Sequence, residues 1–403
     1  MKNQLHIHLL TSLGLARINR GSTGDLKKMV LGGVTRQYIS SQCQKQFWRS
    51  VAQEIAALEK RNDFGIIRTS AGSLRKTLAT QYPFVTEASY KEQLDLLLGA
   101  LFGEKVAEPK KEKPPKKGKG GKGKTAEVTP EVDADEATSE APETSEDATQ
   151  QDPEKEKAAG KQLLVFSDAE YKALFAVVAN LPQAPIADGK AATKVVKTIL
   201  GHKWNFMLAG LGRLVTSNTE FNVDKGLSVA HALGTSGIRS VDDYFTAVDD
   251  LKADNGDTGA GMLGTAEHSA DTMYQYITVD LNQFLKGLTV AEQDKAISDL
   301  IFWIEVVLLN PLRTDSAQVA YAAFEIGLGC NQALAFESRE NARKGAEAVG
   351  AQKLLQDALV ATRTRLGQVD QDLIEYGPLS SADKPLAEVL KELKEGIERN
   401  LAR

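Results

Sequence analysis

Gln4-Leu-His-Ile-His-Leu-Leu-Thr11 decides how the rest of the chain is read. Leu5, Ile7 and Leu9 alternate with polar neighbours, the period-two signature of a half-buried strand. Outward from it, residues 14–39 read as a loop rich in Gly, Asn and Arg. Ser40 or Ser41 then starts a helix with the apolar stripe Phe47, Val51, Ile55 and Leu58. Residues 71–102 give two helical patterns, and 167–181 and 190–201 one each. Strands are expected at 206–215, 227–233 and 273–281, a helix at 289–309, a strand near 319–328, and helices at 339–366 and 383–401. No nucleotide-binding glycine fingerprint follows the first strand. Strands separated by helices without that fingerprint point to an α+β fold, a ferredoxin-like sheet with a helical insertion between its early strands.

The chain has 403 residues, 42% apolar and 26% charged, and a formal charge of −5. No window holds eighteen uninterrupted apolar residues, so no membrane span is expected. The first twenty residues do not read as a signal peptide. Two cysteines, Cys43 and Cys330, cannot build a disulfide framework or a zinc cluster, which fits a reducing cytoplasm. The net charge hides segregation. Lys110–Lys124 carries eight lysines and one acid, whereas Glu127–Glu156 carries twelve acids and one lysine. No aromatic residue lies between Phe102 and Phe166, so 104–160 is expected to be a disordered, charge-segregated insert within the helical region. Gly118–Thr125 within it spells the phosphate-loop pattern GxxxxGK[ST]. The flanking residues offer neither the strand nor the helix that would hold amides around a phosphate, so the match is read as fortuitous.

The first fifty residues hold eight Lys and Arg (Lys2, Arg17, Arg20, Lys27, Lys28, Arg36, Lys45, Arg49) against the single acid Asp25. Gln42, Lys45 and Arg49 share one helix face, Ser40 and Ser41 supply hydroxyls and amides at its start, and Arg20, Lys27 and Lys28 lie on the preceding loop. A solvated charged face is the plain alternative. The lack of counter-acids and the glycines among the cations favour a sequence-independent grip on a nucleic-acid backbone.

Several motifs then resemble one family. Ile39-Ser-Ser-Gln42 followed by Lys45 and Arg49, Val223-Asp-Lys-Gly-Leu-Ser-Val-Ala-His231, and Asp242-Asp-Tyr-Phe-Thr-Ala-Val-Asp-Asp250 are similar to the CasC family, with Gly264-Thr265 and Tyr274-Gln-Tyr276 continuing the match. CasC is the repeated backbone subunit of Cascade, the type I-E CRISPR surveillance complex. The resemblance covers 4–60 and 204–290 well and omits the insert. It implies a right-hand shape: an RRM-like palm (1–60, 204–233 and 270–403, with C-terminal helices), helical fingers (61–203) and a thumb hairpin (234–269). It also implies copies stacked head to tail along a guide RNA (crRNA), which is presented for pairing with target DNA beside the other Cascade subunits in antiviral defence. Carried over residue by residue, Arg20, Lys27, Ser40, Gln42, Lys45 and Arg49 would contact guide phosphates. Arg213 and Leu214 would lie beside a kinked nucleotide, and Tyr244 and Phe245 would line the thumb near the heteroduplex, packing of the thumb hinge being their alternative. Asn310–Gln318 departs from the family pattern, so Arg313 is left unassigned.

Catalysis is not expected. His6 and His8 share a strand face without Cys or acidic partners nearby in sequence and read as a structural pair; His231 and His268 look isolated, and Cys43 reads as core. No GxSxG, HExxH or HD pattern occurs, and the adjacent Asp249 and Asp250 make a poor metal pair. No metal or cofactor is expected. The enzymatic alternative is a metal-dependent RNase using Asp25, which has no second carboxylate; a stand-alone RRM-type RNA-binding protein explains the basic patch but not the thumb.

Overall fold

A computed structural model describes residues 3–61, 63–103, 163–201, 204–215, 219–248, 260–327, 348–365, 373–377 and 384–402. The expected insert, the phosphate-loop match, Asp249, Asp250 and Cys330 lie outside the described residues.

The alternating segment forms β1 (Gln4–Ala16), the middle of the main sheet. It is antiparallel to β9 (Ala260–Asp280) on one side, with Ile7 opposite Ile277, and to β10 (Ala317–Gly327) on the other, with Ile7 opposite Phe324. Beyond β9 come β6 (Leu227–Val229), β7 (Ala232–Gly234), β3 (Val34–Ile39) and β2 (Lys28–Leu31); beyond β10 comes β11 (Leu373–Tyr376). Helix α1 (Ser41–Leu58) follows the first hairpin, and the short α7 (Leu281–Phe284) and the long α8 (Val290–Leu309) join β9 to β10. The chain is therefore a mixed α+β protein on an antiparallel sheet.

The two sheet faces have different chemistry, as a period of two demands. Leu5, Ile7 and Leu9 point into the large core with Trp48, Phe206, Phe284, Trp303 and Phe324, beneath α1 and α8. Trp48 and Trp303 meet edge to face at 6.0 Å, a favoured arrangement of their quadrupoles. The C-terminal helix α10 (Leu386–Leu401) adds Val389, Leu393 and Ile397 to this core. The other face carries His6, His8, Tyr274, Tyr276 and Tyr321 and is covered by α9 (Ala348–Arg365) through Ala351, Leu355 and Leu359. His6 Nδ1 bonds Tyr276 Oη at 2.8 Å and His8 Nδ1 bonds Tyr274 Oη at 2.9 Å, a structural pair as expected. Burial, then the neighbouring His8, pushes the His6 imidazole down to about 4.

A second core gathers α2 (Ala71–Gln81), α3 (Ala88–Phe102), α4 (Asp168–Ala179) and α5 (Gly189–Ile199) around Leu78, Leu97, Phe166 and Val196. It is joined to the first by the two-stranded sheet of β4 (Ile66–Ser70) and β5 (Leu163–Ser167).

Four expectations need correction. Residues 14–39 are not one loop: β1 continues to Ala16, and β2 and β3 form a hairpin turning on Gly32 (φ 63) and Gly33 (φ 74). That Gly-Gly turn has the two positive φ values that match strand twist. Residues 206–215 are not a strand: Asn205 caps a short helix, α6 (Phe206–Leu211). A six-residue apolar run buried on every side carries no period to tell helix from strand. The buried ridge of α1 is Gln44, Trp48, Ala52 and Ala56, flanked by Phe47, Val51 and Ile55, and Leu58 is exposed. Gln44 is buried because its amide donates to Ile39 O and Ala230 O, and the Trp48 indole N–H donates to Asn310 O and Pro311 O. Finally, strand 273–281 is the last part of the 21-residue β9, whose first half pairs with β8 (Ser240–Val248).

Candidate nucleic-acid interface

The start of α1 is tightly accounted for. Ser40 is the N-cap, its hydroxyl accepting from Cys43 N, while Ser40 N donates to Asn19 Oδ1 at 2.7 Å and Ser41 N donates to His231 Nδ1 at 2.9 Å. His231 is thus a capping acceptor rather than an isolated residue. The helix amides expected to hold a phosphate are largely taken by protein groups, which moves the weight of the site onto side chains. Asn19, in the left-handed region at φ 56, also accepts from Lys27 N, so the 17–27 loop is tied to the helix start. Arg17 Nη2 donates to Gly24 O, and Arg20 pairs with Leu26 across the loop. Arg20 is exposed and Lys27 half-buried. Cys43, half-buried against Leu13, Ala16 and Ile39, has its thiol pushed up by burial and drawn back by Arg313 and Lys27, which places both cations beside the first turn. Asp25 is exposed and accepts from Thr23 Oγ1.

Further along α1, Gln42 is exposed and Lys45 and Arg49 are half-buried. Burial lowers Lys45 below its ordinary range, and the charges that act on it, Lys225 and Arg68, are both cations. Arg49 is lowered by burial and again by Arg68. Sequence reasoning missed Arg68 and Lys225 because they come from other elements. Gln53 Nε2 donates to Ile66 O at 3.0 Å, laying β4 and its Arg68 against α1. Gly226 N donates to Ala209 O and Asp280 N to Gly226 O, fixing the loop that carries Lys225. A side chain at 226 would meet Phe284 Cβ at 2.9 Å, so glycine is what lets the loop lie this close. Lys45 thus feels both Arg68 and Lys225, and Arg49 feels Arg68, so cations from three separate elements lie within charge range of one stretch of α1.

Arg213 is not part of that group. Its side chain is 3% exposed, and Nη1 bridges both Glu170 oxygens at 2.9 and 2.8 Å while Nε donates to Phe221 O. The guanidinium is spent inside the protein and offers nothing to a phosphate. Leu214 beside it is 71% exposed.

The β8–β9 ribbon carries Tyr244 and Phe245, which are 63% and 39% exposed, so neither is buried in a hinge. As neighbours on a strand they occupy opposite faces. Phe245 lies across Gly264, where an added Cβ would stand 2.4 Å from its ring. The ribbon base is fastened to the basic loop: Glu267 accepts from Leu26 N and pairs with Lys28. The Lys28 bond, helped by Ser240 and Leu26 N, holds the Glu267 carboxyl down to about 2. Because the folded value lies below the ordinary range near 4.3, the resulting stability is full at neutral pH and is lost as pH falls through about 4 towards 2. Glu267→Gln should therefore flatten the acid limb of a thermal-stability profile between those values; an unchanged limb would show that the tie contributes nothing.

These features can be set against known proteins. The CT1975-like protein family matches residues 5–310. The chain belongs to that family. In fold, this CT1975-like protein is similar to a chain of a solved structure titled "CRISPR RNA-guided surveillance complex, pre-nicking", at 17% identity and TM-score 0.64, over 98% of this chain and 100% of that one. A chain of a second structure, titled "CRISPR RNA-guided surveillance complex", aligns at 15% identity and TM-score 0.46, over 97% and 98%. No curated protein matches its sequence. Among the described residues, no helix is long and apolar enough to cross a membrane, and no group of three or more His, Cys, Asp or Glu is placed to hold a metal ion.

Proposed function

We propose that this CT1975-like protein is a non-catalytic, crRNA-binding backbone subunit of a cytoplasmic type I-E Cascade, similar to CasC. It grips the guide backbone, stacks head to tail with further copies beside the other subunits, and leaves the guide bases to pair with target DNA. The observation that carries this reading is the convergence of Lys45, Arg49, Arg68 and Lys225, with burial and like charge weakening the first two. Cations held together at a cost to themselves imply an anion that relieves them, and a repeating phosphate backbone supplies one charge per nucleotide. Around the grip, Arg20, Lys27, Ser40 and Gln42 extend the contact, and Leu214, Tyr244 and Phe245 supply exposed bulk for wedging or stacking a displaced base. The strand order β10-β1-β9-β6, antiparallel throughout, with α1 after β1 and its β2–β3 hairpin and α8 after β9, supports the RRM-like palm. The family membership and the fold likeness support the complex.

The test is to purify the complex carrying Lys45→Ala with Arg49→Ala and measure bound RNA by its absorbance and by gel. RNA should be lost while circular dichroism and the melting temperature of the free subunit are kept; full RNA retention would sink the phosphate grip. Asp25→Asn should leave target interference intact, and its loss would revive the nuclease alternative.

A further inference from the structure

The 223–231 motif ends on a histidine that the proposed cationic grip leaves unused. His231 lies in the link between β6 and β7 and is exposed. Its neighbour Ala230 is held on both sides: the N–H donates to Tyr276 O at 2.9 Å, and the carbonyl accepts from the Gln44 amide at 3.0 Å. The imidazole is held as well. Nδ1 accepts from Ser41 N at 2.9 Å, and the Tyr38 ring meets it edge-on, with centroids 5.8 Å apart and planes at 60°.

A backbone N–H can only donate, so Nδ1 keeps its lone pair and the ring proton sits on Nε2. Among the described residues no group accepts from that Nε2–H. A second neutral donor stands beside it. The Ser41 hydroxyl donates to Gln42 Oε1 at 3.2 Å, which leaves the amide hydrogens of the exposed Gln42 to donate. Tyr38 N donates to Lys27 O at 3.0 Å, so the basic 17–27 loop borders the same pair of rings.

We propose that His231 donates from Nε2 to an acceptor oxygen of the guide backbone, as a neutral contact beside the cations. This contact rests on the proposed guide-RNA function and adds a residue to it. A cation attracts a phosphate from many angles, whereas a neutral N–H is effective only along its own axis. Here that axis is set before the RNA arrives: the Ser41 bond fixes the tautomer and Tyr38 the ring plane. Little ordering cost is then left for binding. A phosphate oxygen and a ribose 2′-hydroxyl share the accepting chemistry that such a donor needs.

The test uses the full chain and a fluorescein-labelled single-stranded RNA of guide sequence, read by anisotropy over a salt series. His231→Asn keeps an acceptor at the Nδ1 position and removes the outward donor. It should bind RNA about fivefold more weakly, the loss of one neutral hydrogen bond, with melting temperature and salt slope unchanged. His231→Gln reverses the exchange, its amide nitrogen lying where Nε2 stands. Affinity should recover relative to His231→Asn while the melting temperature falls. Nitrogen NMR of the imidazole in the free chain should show the proton on Nε2. DNA of the same sequence names the oxygen: an equal loss assigns a phosphate, a loss confined to RNA assigns the ribose hydroxyl, and either supports the contact. Native RNA affinity in His231→Asn, a lowered salt slope in that variant, or a ring proton on Nδ1 would each overturn the inference. Native affinity there, together with RNA loss in the Lys45→Ala and Arg49→Ala pair, would overturn this contact alone and leave the phosphate grip standing.

Discussion

Replacing Arg213 with methionine is expected to cost the folded state about 3–5 kcal/mol, the range for breaking a buried ion pair by removing one partner. The loss should be large because Glu170 stays behind, 5% exposed, with both its oxygens turned towards a missing guanidinium. Glu170 cannot simply rotate to water, since Oε2 also accepts from Ser167 N and closes the capping box that begins α4. Arg213 further ties down Phe221 O and lies against Val165 O, so both backbone segments of the second core lose a donor. Adding Glu170→Gln to Arg213→Met should recover part of the loss by removing the uncompensated charge while keeping a side-chain acceptor for the cap. Urea unfolding of the two variants measures this. A single-variant loss under about 1 kcal/mol, the size of an exposed pair, would mean the pair is not holding the core. The same experiment separates roles: the resemblance placed Arg213 beside a nucleotide, whereas its contacts give it a structural task.

This residue illustrates what could be read ahead of the structure and what could not. Local signals served well for the Ser40 cap and the helices of the second core, and the β1 alternation gave the strand but not its burial: its polar face, read as half-exposed, is buried beneath α9. Lys45 and Arg49 were legible because a helix turns a spacing of four into one face. Arg68 and Lys225 were not, because β4 reaches that helix through the Gln53–Ile66 bond and Lys225 acts on Lys45 from a loop anchored elsewhere, on Ala209 and Asp280. Arg213 misled for the same reason in reverse. Nothing near it in sequence announces Glu170, 43 positions away, and an arginine after a glycine resembles a surface ligand until its partner is seen. Phe245 and Gly264 were legible as a motif, but the reason for the glycine, a ring lying where a side chain would stand, needed the β8–β9 register.

Converting Lys45, Arg49, Arg68 and Lys225 together to alanine should weaken RNA binding without weakening the fold. Each lost contact to a single-stranded backbone lowers the slope of log affinity against log salt by about 0.7, so four should lower it by roughly 3. At low salt the affinity should fall by orders of magnitude, and equally for any guide sequence, because phosphate contacts carry no base information. Folding stability without RNA should hold or rise. Lys45 is weakened by burial and then by Lys225 and Arg68, and Arg49 by burial and Arg68, so removing the set relieves a repulsion that nothing within the cluster offsets. Exposed surface cations with no ligand would show no such split: they would alter the salt slope little and stability little. A charge cluster kept for its fold would show the contrary sign, a loss of stability on removal. The combination of a lower slope and undiminished stability is therefore specific to a site strained for an anion, and a fourfold variant that binds RNA with the native salt slope would end that assignment.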